Sequence, residues 1–153
     1  VVEERQTYVE HIKKVIAASA LIGINTMTTF VGRDPAKAIE DQWDDFEAVW
    51  KPLVTFAEAQ GVRIGIENCP MLFSYDEWPG GNNLASTPAI WSKMWEIIPD
   101  DHFGLNLDPS HLILQMIDYE RVVREFASKT EKAEHTAREL IHQTHERADQ
   151  LLR

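Results

Sequence analysis

Cysteine is almost missing: Cys69 is the one thiol in 153 residues. A lone thiol excludes an internal disulfide and fits a reducing compartment such as the cytoplasm. No apolar run approaches the length needed to cross a bilayer, so no membrane role is expected. Basic residues are scarce, with 15 Lys and Arg against 25 Asp and Glu, for a net charge of −10. Affinity for phosphate backbones comes mostly from Lys and Arg, so a nucleic-acid groove is not expected either. The chain opens Val1-Val2-Glu3 without a methionine and reads as an excerpt of something longer. What is present is ordinary for a soluble globular domain: 44% hydrophobic and 26% charged residues, enough for one real core.

The stretch that organises the rest is Val62 to Met71, VRIGIENCPM. Val62, Ile64, Gly65 and Ile66 form an apolar run too short for a helix and rich in β-branched residues, which predicts a buried parallel strand. That strand delivers Glu67, Asn68 and Cys69, and Pro70 stops it. A carboxylate at the end of an apolar strand is costly unless it is paired, hydrogen-bonded or bound to a metal.

Around it the chain alternates helix and strand. Tyr8, Val9, Ile12, Val15 and Ile16 recur at helical spacing over the first twenty residues. Leu21 to Thr26 predicts a short strand. Asp34 and Pro35 predict an N-cap and first residue of a helix carrying Ile39, Trp43, Phe46, Val49, Trp50, Leu53 and Phe56. Pro52 is expected to kink that helix and Gly61 to end it. A long loop follows Cys69, containing SYDEWPGGNNL, and loops of that length are often functional. Thr87 and Pro88 start a helix with Ile90, Trp91, Met94, Trp95 and Ile98 inward, ended by Pro99. Phe103 to Leu107 predicts a third strand running into Asp108, and Asp118 caps a last helix through Phe126. The three strands begin at even intervals, near Leu21, Val62 and Phe103. This alternation predicts an α/β fold with a parallel sheet under helical cover. Expected in the core are Trp43, Phe46, Trp50, Ile64, Ile66, Trp91, Trp95 and Leu105.

In parallel α/β sheets chemistry gathers at the carboxyl ends of the strands, where Glu67 and Asp108 both fall. Asp108-Pro109-Ser110-His111 adds an imidazole three residues after the acid. Two carboxylates and a histidine on one rim are ordinary ligands for a divalent metal.

GVRIGIENCPM, DEWPGGNNLASTPAIW and GLNLDPSHL together resemble the sugar-phosphate isomerase/epimerase family of xylose-isomerase-like TIM barrels, and NTMTTFVGRDP resembles its third-strand region. The resemblance covers roughly residues 8–126. It implies a partial (β/α)8 barrel of about three parallel β/α units in a domain spanning residues 1–126. It implies Glu67 as metal ligand and acid–base residue, Asp108 as second metal ligand, and His111 and Asn68 as substrate contacts. The implied reaction is proton transfer next to a sugar carbonyl with a divalent metal, Mn, Mg, Co or Zn, and a small sugar or polyol as substrate. An inositol-type dehydratase is the alternative within the barrel family. Apurinic endonucleases share the barrel, but the acidic charge opposes that reading.

The family continues with a strand bearing a histidine and a later strand bearing a second glutamate. Residues 127–153, ASKTEKAEHTARELIHQTHERADQLLR, carry neither and predict a polar, weakly amphipathic helical tail. His135, His142 and His145 lie on it, but without an HExxH pattern they read as a solvated face. With half of the ligand set missing, the excerpt is expected to bind metal weakly and turn over poorly or not at all. An open sheet edge is expected to make it a homo-oligomer or a self-associating, non-catalytic fragment.

Overall fold

The computed structural model describes residues 2–70 and 81–127, with side chains from Arg5 onward. The polar tail and Met71 to Gly80 of the long loop, with their expectations, lie outside the described residues. Three strands, β1 (Thr26–Thr29), β2 (Arg63–Glu67) and β3 (Phe103–Asn106), form one parallel sheet in the order β1-β2-β3. Helix α1 (Val2–Leu21) precedes β1, and α2 (Trp43–Ala59) joins β1 to β2. Helix α3 (Pro88–Ile97) leads into β3, and α4 (Pro109–Leu114) and α5 (Tyr119–Phe126) follow it. Parallel neighbours joined through helices are the units from which β/α barrels are built.

Two predicted boundaries move. Of the strand expected over Leu21 to Thr26 only Thr26 belongs to β1; Leu21 ends α1 and a turn lies between. Gly23 takes φ 77°, and Ile24 N–H donates to the Ser19 carbonyl at 2.9 Å, which closes the helix end. Glycine reaches this left-handed conformation without a Cβ penalty. Leu21, Ile22 and Ile24 are consequently exposed. The first inter-strand interval is therefore shorter than the second, and the even rhythm fails there. The second shift is the helix expected from Pro35. Asp34 Oδ1 accepts from Ala36 N–H at 3.0 Å and the Asp34 carbonyl from Lys37 N–H at 3.1 Å, which makes a local turn. A short 3-10 turn over Ile39–Gln42 intervenes before α2. Buried Gln42 ties this loop together: its Oε1 accepts from Asp34 N–H at 2.8 Å, and its amide donates to the Lys37 and Ala38 carbonyls. Helix α2 runs unbroken through Pro52, and Gly61, at φ 66°, stands just past its end.

One face of the sheet packs on the helices. In register, Ile64 sits beside Phe103 and Ile66 beside Leu105. The Phe103 ring lies 6.1 Å from that of Phe46 and 5.8 Å from that of Trp50, both on α2. Trp91 and Trp95 of α3 clasp Phe126 of α5, and their indole N–H groups donate to the Ala85 and Phe103 carbonyls. Six of the eight expected core residues are buried, while Trp43 and Trp95 are half-buried. Side chains alternate across a strand. Gly65, Glu67, Gly104 and Asn106 therefore face away from α2, on the side that a closed barrel encloses.

Candidate active site

Register brings the site together before any side chain is considered. Glu67 is the last residue of β2 and pairs with Asn106, the last residue of β3. Both point to the helix-free face at the carboxyl edge. There Asn106 Nδ2 donates to Glu67 Oε2 at 2.6 Å, and the Asn68 backbone N–H donates to Glu67 Oε1 at 3.1 Å. The carboxylate is thus held at both oxygens, with its side chain 17% exposed.

Asp108 lies two residues beyond β3 and caps α4. Its Oδ1 accepts from Ser110 N–H at 2.8 Å, a direct use of the Asp-Pro-Ser sequence as a helix start. Oδ2 is left for other partners. His111 stands one turn into α4, its Nε2 3.6 Å from Glu67 Oε1 and 3.6 Å from Asp108 Oδ2. The sequence-derived trio Glu67, Asp108 and His111 is therefore brought to one edge, with the imidazole in reach of both acids.

The expectation that Asn68 contacts substrate meets a different geometry. Asn68 is fully buried. Its Nδ2 donates to the Asp108 carbonyl at 3.0 Å, and its Oδ1 accepts from the Asp108 N–H at 2.7 Å. Both ends of the amide are engaged with one backbone, so Asn68 clamps the end of β2 to the end of β3. It positions Asp108 relative to Glu67. A buried amide must find partners for both ends, and here it finds them in the neighbouring unit.

Two asparagines of this edge escape the sequence reading. Asn106 holds Glu67 directly. Its signal is parity: it lies two residues before Asp108 and pairs with a residue already singled out. Asn83, fully buried, donates through Nδ2 to the Glu67 and Cys69 carbonyls, both at 2.7 Å, while its Oδ1 accepts from Ala85 N–H. It belongs to the GGNNL stretch of the long loop and itself forms an antiparallel bridge with Gly32 after β1. Gln115 closes the rim by donating to the Ser86 and His111 carbonyls. Side chains on backbone thus tie the β2 and β3 units together just behind Glu67, and the backbone bridge between Asn83 and Gly32 adds the β1 unit.

The donor set of two carboxylates and an imidazole fits a hard or borderline divalent ion, with Glu67 and Asp108 as oxygen ligands and His111 beside them. A tighter group exists elsewhere. Glu58, Asp100 and His102 have ligand atoms all within 4.8 Å of one another, and Glu67, Asp108 and His111 are spread more widely than that. The tighter group sits at the opposite edge, before β2 and β3, and Glu58 is exposed. In β/α barrels that edge serves stability and the carboxyl edge serves chemistry, so the looser trio is the candidate site. No helix among the described residues is long and apolar enough to cross a membrane.

The chain is similar in structure to an L-ribulose 3-epimerase, with a TM-score of 0.64 and 24% identity over 80% of this chain and 40% of that one. It therefore spans less than half of that protein's length, and three strands stand among the described residues where a whole barrel has about eight. No curated protein matches the chain. The model of the xylose isomerase-like TIM barrel family matches residues 2–146, running on past residue 126 into the polar tail. With nearly its whole length matched, and with three parallel β/α units presenting acids at their carboxyl edge, the chain belongs to the xylose isomerase-like TIM barrel family as a partial barrel.

Proposed function

We propose that this chain carries one half-site of a divalent-metal-dependent sugar isomerase or epimerase, with Glu67 as the group that takes and returns the proton next to the carbonyl. One observation carries the reading. The Glu67 carboxylate is fixed at the carboxyl edge by Asn106 and the Asn68 N–H, and His111 Nε2 stands 3.6 Å from Glu67 Oε1 and 3.6 Å from Asp108 Oδ2. A general base is effective when its position is set before the substrate arrives. Family membership and the likeness to an epimerase support the reaction class. A bound ion of the Mn, Mg, Co or Zn type, held by Glu67 and Asp108, would polarise the substrate's oxygens. His111 is placed to donate to or accept from a sugar hydroxyl, and Asn68 and Asn83 keep the edge rigid. The substrate is a small sugar or polyol rather than a nucleic acid, given the net charge of −10. Lone Cys69 fits a cytoplasmic setting.

Two-base epimerisation needs a second acid–base residue on the opposite face of the substrate, and with Asp108 given to the ion and His111 to a sugar hydroxyl this reading leaves Glu67 alone for that work. Among the described residues β1 and β3 each have one unpaired edge, which favours association between copies. The chain by itself is therefore a weak metal binder that turns over poorly and self-associates. Titration of Mn into the chain, read by the loss of free-ion paramagnetic signal, tests the site. Weak binding that is reduced further by Asp108→Asn supports the assignment. Binding unchanged by both Asp108→Asn and Glu67→Gln contradicts it.

A further inference from the structure

A second feature, near this edge but on the helix-covered side of the sheet, points to an anionic ligand. Between α1, the segment after β1 and α2 lies a cleft of about 730 Å³, a size suited to a small molecule. Its walls are mostly apolar, with Tyr8, Ile12, Phe30 and Trp50 among them, and Arg33 lines it too. The other cations there are spoken for. Arg5 and Lys37 both hold Asp45, at 2.8 and 3.1 Å. Arg33 differs: its Nε is buried and has no hydrogen-bond partner. Its backbone N–H donates to the Asn82 carbonyl at 3.1 Å, but its guanidinium makes no hydrogen bond or ion pair with the described residues. A guanidinium partly withdrawn from water without an acceptor is costly, and it is a fork shaped for carboxylate or phosphate oxygens.

The backbone relates Arg33 to Glu67. Thr29 pairs with Ile66 in the sheet, so residues 30–33 leave β1 over the same edge at which Glu67 leaves β2. Gly32 bridges Asn83, whose side chain holds the Glu67 carbonyl. Leu84 N–H donates to the Val31 carbonyl at 2.7 Å, so the link is double. Glu67, Asp108 and His111 do not line the cleft, and its α2 wall lies on the side of the sheet from which Glu67 faces away, so Arg33 forms a site of its own.

We propose that Arg33 captures the anionic group, phosphate or carboxylate, of a small sugar-sized molecule seated in this cleft. Anion capture by Arg33 does not depend on the Glu67 reading, so the two can fail separately. Calorimetry on the chain without added metal tests it with three probes: a ketopentose 5-phosphate, a five-carbon aldonate and the neutral ketopentose. One of the two anions should bind at least about tenfold tighter than the neutral sugar, as a charge-assisted fork contact implies. Preference for the phosphate assigns phosphate; preference for the aldonate assigns carboxylate. Arg33→Gln should erase the preference, and Arg33→Lys should keep part of it. Because the Arg33 guanidinium has no partner to lose among the described residues, the melting temperature of Arg33→Gln should stay level or rise. Equal binding of all three probes, an anion preference that survives Arg33→Gln, or a clear drop in melting temperature for that variant would each overturn the proposal.

Discussion

Removing the Asn68 side chain tests whether the edge is built as a clamp. Asn68→Ala deletes two hydrogen bonds to the Asp108 backbone, of 3.0 and 2.7 Å, at a position with no solvent exposure. Each such bond contributes about 1 kcal/mol net, so the floor of the loss is about 2 kcal/mol. Where water does not reach the stranded Asp108 groups, their desolvation raises the loss toward about 4 kcal/mol. Asn68→Asp should be worse than Asn68→Ala, because it sets a charged oxygen against the Asp108 carbonyl in a buried site. Urea titration followed through the fluorescence of the 5 tryptophans reads both variants. With a urea slope of about 2 kcal/mol/M, the midpoint of Asn68→Ala should fall by about 1 M or more. Mn affinity should fall with it by about tenfold, since Asp108 loses its backbone anchor. The clamp reasoning is refuted if Asn68→Ala shifts the midpoint by less than about 0.3 M, or if Asn68→Asp is no worse than Asn68→Ala.

Other perturbations have equally definite outcomes. Gly61 holds φ 66°, and a Cβ added there meets nothing within 4 Å. Gly61→Ala should therefore cost only the conformational term, about 1 kcal/mol by chemical denaturation, and Gly61→Val more; a neutral Gly61→Ala would contradict the left-handed helix end. The Arg5 hydrogen bond, then that of Lys37, lowers the Asp45 pKa from the ordinary value of 3.8. A carboxylate lowered on folding stabilises above its unfolded pKa, and that contribution disappears as pH falls through the folded value. Asp45→Asn should thus flatten the acid limb of a stability profile below pH 3.8. Asp45 is 42% exposed, so solvent screening keeps the effect under about 1 kcal/mol, and a larger loss near neutral pH would show that the pairing with Arg5 and Lys37 is not the cause.

The sequence made the centre of the fold legible because the apolar pattern and the punctuation agree there. Val62 to Glu67 is bounded by Gly61 and Pro70, and the observed strand fits inside those bounds. Asp118 caps a helix as its neighbours suggest, and Asp108, read as a strand-end acid, caps one as well. The first unit misleads because the LIGIN run is apolar without being buried: Gly23 turns the chain, and exposed Leu21, Ile22 and Ile24 only imitate a strand. Asp34-Pro35 has the residues of a helix start, but Gln42 reaches back to Asp34 and stabilises a turn instead, a contact that local propensity does not carry. At the edge, Glu67, Asp108 and His111 could be named from strand ends alone. The asparagines could not: Asn68 reads from the sequence as a substrate contact, and Asn83 and Asn106 go unread, because an amide serves substrate or backbone equally well until its neighbours are in place. Asn68, Asn83 and Asn106 take their parts from contacts between units, and only register reveals those.

The central claim is that Glu67 moves a proton at the carbon next to a sugar carbonyl. Exchange isolates that step, because one base suffices to remove and return a proton on the same face, whereas net epimerisation needs two. The chain is incubated with Mn and a ketopentose in deuterated water, and the sugar is followed by proton nuclear magnetic resonance. The wild-type chain should wash deuterium slowly into the carbon beside the carbonyl with little or no epimer formed. Glu67→Gln should lower that exchange by at least about a hundredfold while leaving the fold intact. Exchange that persists at the wild-type rate in Glu67→Gln would contradict the assignment of Glu67.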